Sequence, residues 1–418
     1  MRRRKMKKVK AILIGAGQRG TYAYAPYAQQ HPEELEFVGV AEPIKERREY
    51  FRKAYDIPEQ NCFEGWEEVL EQPPFADAVL ICTQDRMHYE PAKKALALGY
   101  HVLLEKPMSP EPAECIELGR LSKEHERVFS ICHVLRYTPF FRTLKSLLNE
   151  GKIGQLISIQ HNENVGYWHQ AHSFVRGNWR NSKETSPMIL AKSCHDMDIL
   201  LWLVGDDCVR LSSFGDLTHF KKENAPKGAP LRCTDGCPIE KDCPYSALKI
   251  YLKEDPGWLG TVISDDPSME SRRKALEEGP YGRCVYYCDN DVVDHQVVNM
   301  EFANKVTVAF TMCAFTNEVS RTMKLMGTKG EIRAVMEKNL IEVTDFSTGK
   351  IEQIIYDEAV HGHGGGDYGI MKDFVEQVRI SGKEESITSA STSVQSHLMA
   401  FAAEKSRLEG RVIDIEDF

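Results

Sequence analysis

Residues 9–20, VKAILIGAGQRG, constrain this chain more than any other stretch. An apolar run from Val9 to Ile14 leads straight into Gly15, Gly17 and Gly20 at Gly-x-Gly-x-x-Gly spacing. A helix-like stretch, TYAYAPYAQQ, follows, in which Pro26 should kink or delay the helix. A second apolar run, LEFVGVAEP, carries Glu42 at its end, about 20 residues beyond the glycines. Strand, glycine turn, helix, strand and terminal acid together specify a dinucleotide-binding unit. The physical reason is close approach. Gly15 and Gly17 let the backbone reach a pyrophosphate, and the helix start at Gln18, Arg19 and Gly20 offers unpaired N–H groups to negative charge. Glu42 suits both ribose hydroxyls and would repel a 2′-phosphate. NAD is therefore expected rather than NADP, a preference that nearby Lys45, Arg47 and Arg48 weaken.

The alternation continues through FADAVLICT, PAKKALALG, YHVLLEKP, ECIELGRLSKEHE and VFSICHVLRY. Near-continuous apolar strands between helices describe an N-terminal Rossmann, doubly wound parallel sheet. Ligands on such a sheet sit at the carboxyl ends of its strands, where Thr83, Glu105 and Lys106 fall. The chain's 418 residues suggest two or three domains, and its 42% hydrophobic and 28% charged residues are ordinary for a globular protein. A net charge of −9 argues against a nucleic-acid partner. The basic run at residues 1–10 has no apolar segment of signal-peptide type behind it and reads as a solvated tail. No run approaches the roughly 20 apolar residues that cross a bilayer, so no membrane partner is expected.

From residue 155 the pattern changes. QLISIQHNENV, DHQVVNMEFAN, KVTVAFTMCAF, RTMKLMGTKG, GEIRAVM and LIEVTDF are successive β-runs with short turns. They predict a C-terminal α/β domain with a large, open, mostly antiparallel sheet. The domains divide as 1–140 and 141–418. An open sheet with an apolar face calls for a partner, so a homodimer or homotetramer is expected. Most of the 12 cysteines lie singly inside apolar runs, as in a reducing cytoplasm. The exception is LRCTDGCPIEKDCPY, within a polar, proline-rich insertion at about 219–290. Cys233, Cys237 and Cys243, with Cys284 ahead of Cys288 as the fourth, could close a tetrahedral structural zinc site. An iron–sulfur cluster and unligated thiols are the alternatives.

ICTQDRMHYEPAKKALALGYHVLLEKPMS, with Glu105-Lys106-Pro107 and His88 in order, resembles the Gfo/Idh/MocA oxidoreductases. IGQLISIQ and SPMILAKSCHDMDILLWLVG resemble that family's first C-terminal strand and its histidine-bearing helix. The likeness covers most of the chain and is weakest at about 219–290. It implies hydride transfer between a nicotinamide and a carbinol carbon of a sugar, sugar derivative or polyol. Two alternatives within the family are glycoside cleavage with tightly held NAD and NAD-dependent sensing without turnover. The family's lysine matches Lys106, which would bind the reacting hydroxyl, and its histidine matches His195. An aspartate that many relatives place four residues before the histidine is Ala191 here.

The residues around His195 are therefore the candidates to compensate. A helix starting near Ser186-Pro187 would carry Lys192, His195 and Asp198 at i, i+3 and i+6 among apolar neighbours. Lys192 is expected to contact substrate and Asp198 to orient the helix, with Asp196 an alternative. His88, Glu105, Arg136 and the Trp179-Arg180 pair are further cofactor candidates. Trp168, His169, His172, and His363 with Asp367 in the glycine-rich stretch HGHGGGDYG, are expected to line the substrate pocket.

Overall fold

The computed structural model describes residues 7–356, 363–380 and 386–418. The first six residues of the basic run, and His361 and Gly362 of the glycine-rich stretch, lie outside them.

Among the described residues, β1 (Val9–Ile14), β2 (Leu35–Ala41), β3 (Cys62–Phe63), β4 (Ala78–Ile81), β5 (His101–Leu104) and β6 (Phe129–Ile131) form one sheet in the order β3-β2-β1-β4-β5-β6. Every pairing in it is parallel. Strand β4 is apolar throughout, and β5 is apolar beyond its first residue, His101, because helices cover both faces and leave almost no position for a polar side chain. The order reverses at β1, and the glycine turn lies at that point. Gly15 has φ +90°, and a Cβ there would stand 2.6 Å from the Cys82 carbonyl oxygen, so only glycine fits. The helix after the turn is divided in two. A π-helical turn, Arg19–Tyr24, precedes an α-helix, Pro26–Gln30. Pro26 has no N–H to give to the preceding turn, and Ala25 N reaches back to Gly20 O at 3.0 Å instead.

The second sheet is built from β7 (Leu156–Asn164), β8 (Cys208–Asp216), β9 (His295–Phe302), β10 (Thr307–Cys313), β11 (Ser320–Gly327), β12 (Gly330–Val335), β13 (Leu340–Asp345), β14 (Ile351–Ile355) and β15 (Ile413–Asp414). Its order is β14-β13-β12-β11-β7-β10-β9-β8-β15, with β7 and β10 its parallel pair. Alternation sets its faces: Gln296, Val298, Met300 and Phe302 of β9 point inward, and the residues between them point outward. Strands β3, β8, β14 and β15 carry no signal in the sequence reading. The insertion between β8 and β9 is more ordered than its composition suggests. It contains short helices at Ala247–Tyr251, Trp258–Ile263 and Met269–Glu278. Ala247, Ile250, Tyr251 and Leu276 give it a small core of its own.

Two features tie the domains together. The helix Gly366–Arg379 lies far down the chain, yet its Ile370, Met371, Phe374 and Val375 are fully buried in the Rossmann core beside Val9, Leu13 and Phe37. Apolar residues at these spacings form one helical stripe. A division at residue 140 therefore marks where the chain first leaves the Rossmann core, to which it later returns. The second tie is an ion pair. Arg136, just beyond β6, donates to Asp198 through Nε and Nη2, both at 2.7 Å, and its Nη1 donates to the Ile387 carbonyl at 2.7 Å. Both residues are buried. Replacing Arg136 with Leu should destabilise the fold by about 3–5 kcal/mol, because Asp198 keeps a buried charge with its main partner removed. Adding Asp198→Leu should recover most of the loss in a denaturant titration, and equal losses in the single and double variants would refute the pairing.

Candidate active site

The site forms where β5 of the first sheet faces the helix Cys194–Val204 of the second domain. The sequence predicts one helix from Ser186-Pro187 through residue 204, but the structure breaks it. Met188–Ala191 and Cys194–Val204 are separate, with Lys192 and Ser193 between them. The first N–H groups of the second helix turn to Ser193 O, and the Ala191 carbonyl is left free for a side chain. Lys106 takes it, donating from Nζ at 2.9 Å. At the position where the resemblance leads one to expect a carboxylate, Lys106 meets a backbone carbonyl.

His195 lies on the first turn of the second helix, 7% exposed, with Nδ1 buried and without a hydrogen-bond partner. Burial, then the charge on Lys106, holds its imidazole well below the usual histidine range, so it is neutral. Its ring centroid is 6.1 Å from that of His133 on one side and 6.1 Å from that of His363 on the other. Glu105 is buried behind Lys106. It accepts from Arg19 Nε at 2.7 Å, from the Tyr24 hydroxyl at 2.5 Å and from Lys106 N at 2.9 Å. Burial alone would raise this carboxyl, but Arg19 and Lys106 outweigh it and hold Glu105 below the ordinary carboxylate range. Arg19 also donates to Asp367 at 2.7 Å, and His363 Nδ1 lies 3.1 Å from the same carboxylate. The glycine-rich stretch thus folds back over the glycine turn and beside His195.

A second charged network underlies Lys192. Its Nζ lies 3.1 Å from Glu163, which also pairs with Arg321 at 2.9 Å. Arg321 Nε continues to Asp196 at 2.9 Å, and Asp196 meets His161 Nε2 at 2.7 Å. Against the cost of burial, Arg321 and His161 bring the Asp196 carboxyl down to about 2. The sequence reading missed His161, Glu163 and Arg321. Their signal lies in strand phase, since His161 and Glu163 occupy the inward positions of β7 that Ile159 begins. A charged residue on a buried strand face marks a site or a network.

The remaining candidates separate by position. Gly17, Gln18 and Gly20 shape the turn, and the space in front of a Cβ on Gly17 is clear to 4 Å, as close approach of a phosphate requires. Glu42 stands at the end of β2 with its carboxylate on Ala16 N at 2.8 Å and Ile44 N at 2.9 Å, bonded to the turn that would hold the cofactor. Thr83 donates to the Met87 carbonyl at 2.9 Å. His88 is buried between the carbonyls of Pro107, at 2.6 Å, and Thr83, at 3.2 Å, and so braces two strand ends. Three other candidates are engaged elsewhere. Arg136 is committed to Asp198, Trp179 Nε1 to Asp85 at 3.1 Å, and Arg180 to Asp289 at 2.8 Å. Of the pocket candidates, Trp168 and His169 cluster with Trp258 of the insertion, at centroid distances of 6.4 and 5.8 Å. Burial, then the charge of Lys192, lowers His169. His172 faces the insertion's core, bonded to the Tyr251 hydroxyl at 2.8 Å and stacked on Tyr281.

The zinc expectation is not supported. Cys233, Cys237, Cys243 and Cys284 do line one cavity. Yet among the described residues no three His, Cys, Asp or Glu side chains are arranged to hold a metal ion. A tetrahedral zinc needs all four sulfurs within bonding distance of one point.

Residues 9–133 match the model of an oxidoreductase family with an NAD-binding Rossmann fold, and residues 145–415 match that family's C-terminal alpha/beta domain. The putative oxidoreductase YteT of Bacillus subtilis is 23% identical over 316 residues, covering 71% of each chain. The scyllo-inositol 2-dehydrogenase (NADP(+)) IolW of the same organism is 26% identical over 204 residues, 49% of this chain and 54% of that one. A levoglucosan dehydrogenase solved with NADH and levoglucosan superposes with a TM-score of 0.72 at 17% identity, over 98% of this chain and 99% of that one, a likeness of fold.

Acid should act on the buried histidines first. His133 and His195 are held well below the usual range, and His172 and His397 are brought to about 3, in each case chiefly by burial. Below about pH 6.5 the unfolded chain takes up protons that these folded rings refuse, so stability falls with falling pH, by up to about 1.4 kcal/mol per pH unit for each ring. Thermal unfolding between pH 7.5 and 5 should show a steep drop in Tm below about 6.5. A flat profile would contradict the neutral state of these histidines.

Proposed function

We propose that this chain, which belongs to the Gfo/Idh/MocA oxidoreductase family, is an NAD-dependent dehydrogenase acting on a carbinol carbon of a sugar or polyol. The observation that carries the reading is the pairing of Lys106 with His195, a lysine at the carboxyl end of a Rossmann strand beside a histidine it helps to keep neutral. The glycine turn and Glu42 would hold NAD, which supplies the acceptor for the substrate's hydride. Glu42 favours a free ribose 2′-hydroxyl over a phosphate.

The chain's own groups supply the rest. His195 is uncharged and so free to take the hydroxyl proton, and Nε2 is its available nitrogen because Nδ1 is buried. Lys106 spends one N–H on the Ala191 carbonyl and directs its others to the same oxygen, stabilising negative charge as the proton leaves. Lys192, held by Glu163, binds a neighbouring hydroxyl. His169 and Trp168 flank it, and His363 with Asp367 borders the opposite side. Asp198 fixes the helix that bears His195 through its bond to Arg136. The outward face of the second sheet, with Phe214 63% and Val297 38% exposed, is the surface we assign to a homo-oligomer. Cysteines placed singly in apolar runs suit a reducing cytoplasm, and among the described residues no helix is long and apolar enough to cross a membrane.

Purified protein incubated with NAD and a panel of sugars and polyols should accumulate NADH with at least one of them. Product release without net NADH would instead indicate glycoside cleavage, and NAD binding with neither would indicate a sensor. Lys106→Ala should lower kcat by about 10²–10³-fold with Tm little changed; full activity in that variant would remove Lys106 from the mechanism. Glu42→Ser should narrow the ratio of NAD to NADP affinity, measured by titration, while leaving the sugar KM unchanged.

A further inference from the structure

The insertion contains a cavity that the proposed dehydrogenase chemistry does not use. It is lined by Cys233, Cys237, Cys243 and Cys284 together with Arg176 and Tyr245. The four cysteines come from a short loop and from a distant segment, joined by the bridge between Arg232 and Arg283. Cys288 turns away, its thiol on the Cys284 carbonyl at 3.4 Å. None of the four is joined in a disulfide.

Arg176 is the second observation. It is 0% exposed, one of the largest fully buried side chains in the protein. Among the described residues no carboxylate lies within ion-pairing distance of it. Its Nε donates to the Arg283 carbonyl at 2.7 Å, and its Nη2 donates to the Tyr245 carbonyl at 2.7 Å and to Cys233 Sγ at 3.7 Å. The phenol of Tyr251 is another polar neighbour, and Nη1 is buried with no hydrogen-bond partner. A buried guanidinium without a counter-charge is costly, and arginine stays protonated. Glu240 lines the same cavity without forming an ion pair with Arg176, and the other groups there that could supply negative charge are the thiols, as thiolates.

We propose that the four cysteines ligate an iron–sulfur cluster of the four-thiolate type, with Arg176 as its buried counter-cation. Two facts select a cluster over a single ion. The four thiols share one cavity, yet no three of them converge to hold one metal ion. In a cubane cluster each thiolate binds a different iron at a different corner, so its sulfurs stand further apart than those around one zinc. Cys237 and Cys243 are each followed by proline, as is the last cysteine of the bacterial cluster-binding run. The cluster's place is structural. Arg176 ends the π-helical segment Gln170–Arg176, which begins directly after His169 and carries His172, so the anion beneath Arg176 fixes one wall of the substrate pocket.

Full-length protein supplied anaerobically with ferrous iron and sulfide should hold about four irons and about four acid-labile sulfides per chain, with broad visible absorbance. Cys243→Ser should lose both elements several-fold. If that variant fails to fold, the unaltered chain still answers: the half-buried thiols of Cys237 and Cys243 should react with a thiol reagent before reconstitution and be protected after it. Uptake of one zinc per chain without sulfide would overturn the proposal, as would a chain that takes up neither metal and keeps Cys237 and Cys243 reactive. Iron and sulfide are counted without turnover, so the result stands apart from whether any sugar is oxidised.

Discussion

The candidate active site depends on holding two separately built sheets at fixed distance, and a buried charge pair does much of this. Arg136 leaves the last Rossmann strand and closes on both oxygens of Asp198, on the same helix as His195. Two desolvated charges satisfy each other at short range only in a narrow range of positions. The pair therefore defines orientation more than it adds stability. Once the helix is placed, the Ala191 carbonyl is brought to Lys106 and the His195 ring lies close enough to feel its charge.

Around that point the protein arranges charge in two networks. One runs through Glu105, Arg19 and Asp367 toward His363, and the other through Lys192, Glu163, Arg321 and Asp196 toward His161. Each alternates in sign, so almost every buried ion faces an opposite one. The carboxylate that Ala191 lacks has no single replacement. Negative charge is supplied instead by Glu163 on one side and Asp367 on the other, both tied to cations that fix their orientation.

Local signals and long-range ones differed in legibility. The turn at Gly15–Gly20 and the acid at Glu42 could be read because a phosphate-binding turn is specified within a few neighbouring positions. The broken helix could not: an apolar run such as Met188–Ala191 followed by Cys194–Val204 carries the same periodicity whether or not two residues between them leave the helix. The family resemblance points Arg136 and Trp179 toward the cofactor, whereas in the fold they bond Asp198 and Asp85, which lie far along the chain. Glu163 and Arg321 were visible only once strand phase was known. The four cysteines that spacing groups line one cavity, but spacing does not report whether sulfurs meet at a point or surround a volume.

The helix Gly366–Arg379 fills part of the first domain's core with residues from near the end of the chain. A ribosome delivers that domain's own strands early, but its apolar interior is completed only after residue 378 has emerged. For most of synthesis the nascent Rossmann sheet therefore carries an uncovered apolar groove, which chaperones must shield or the chain must bury provisionally. The N-terminal unit is thus not a portable module, and a recombination that exchanged it between relatives would have to carry this late helix with it.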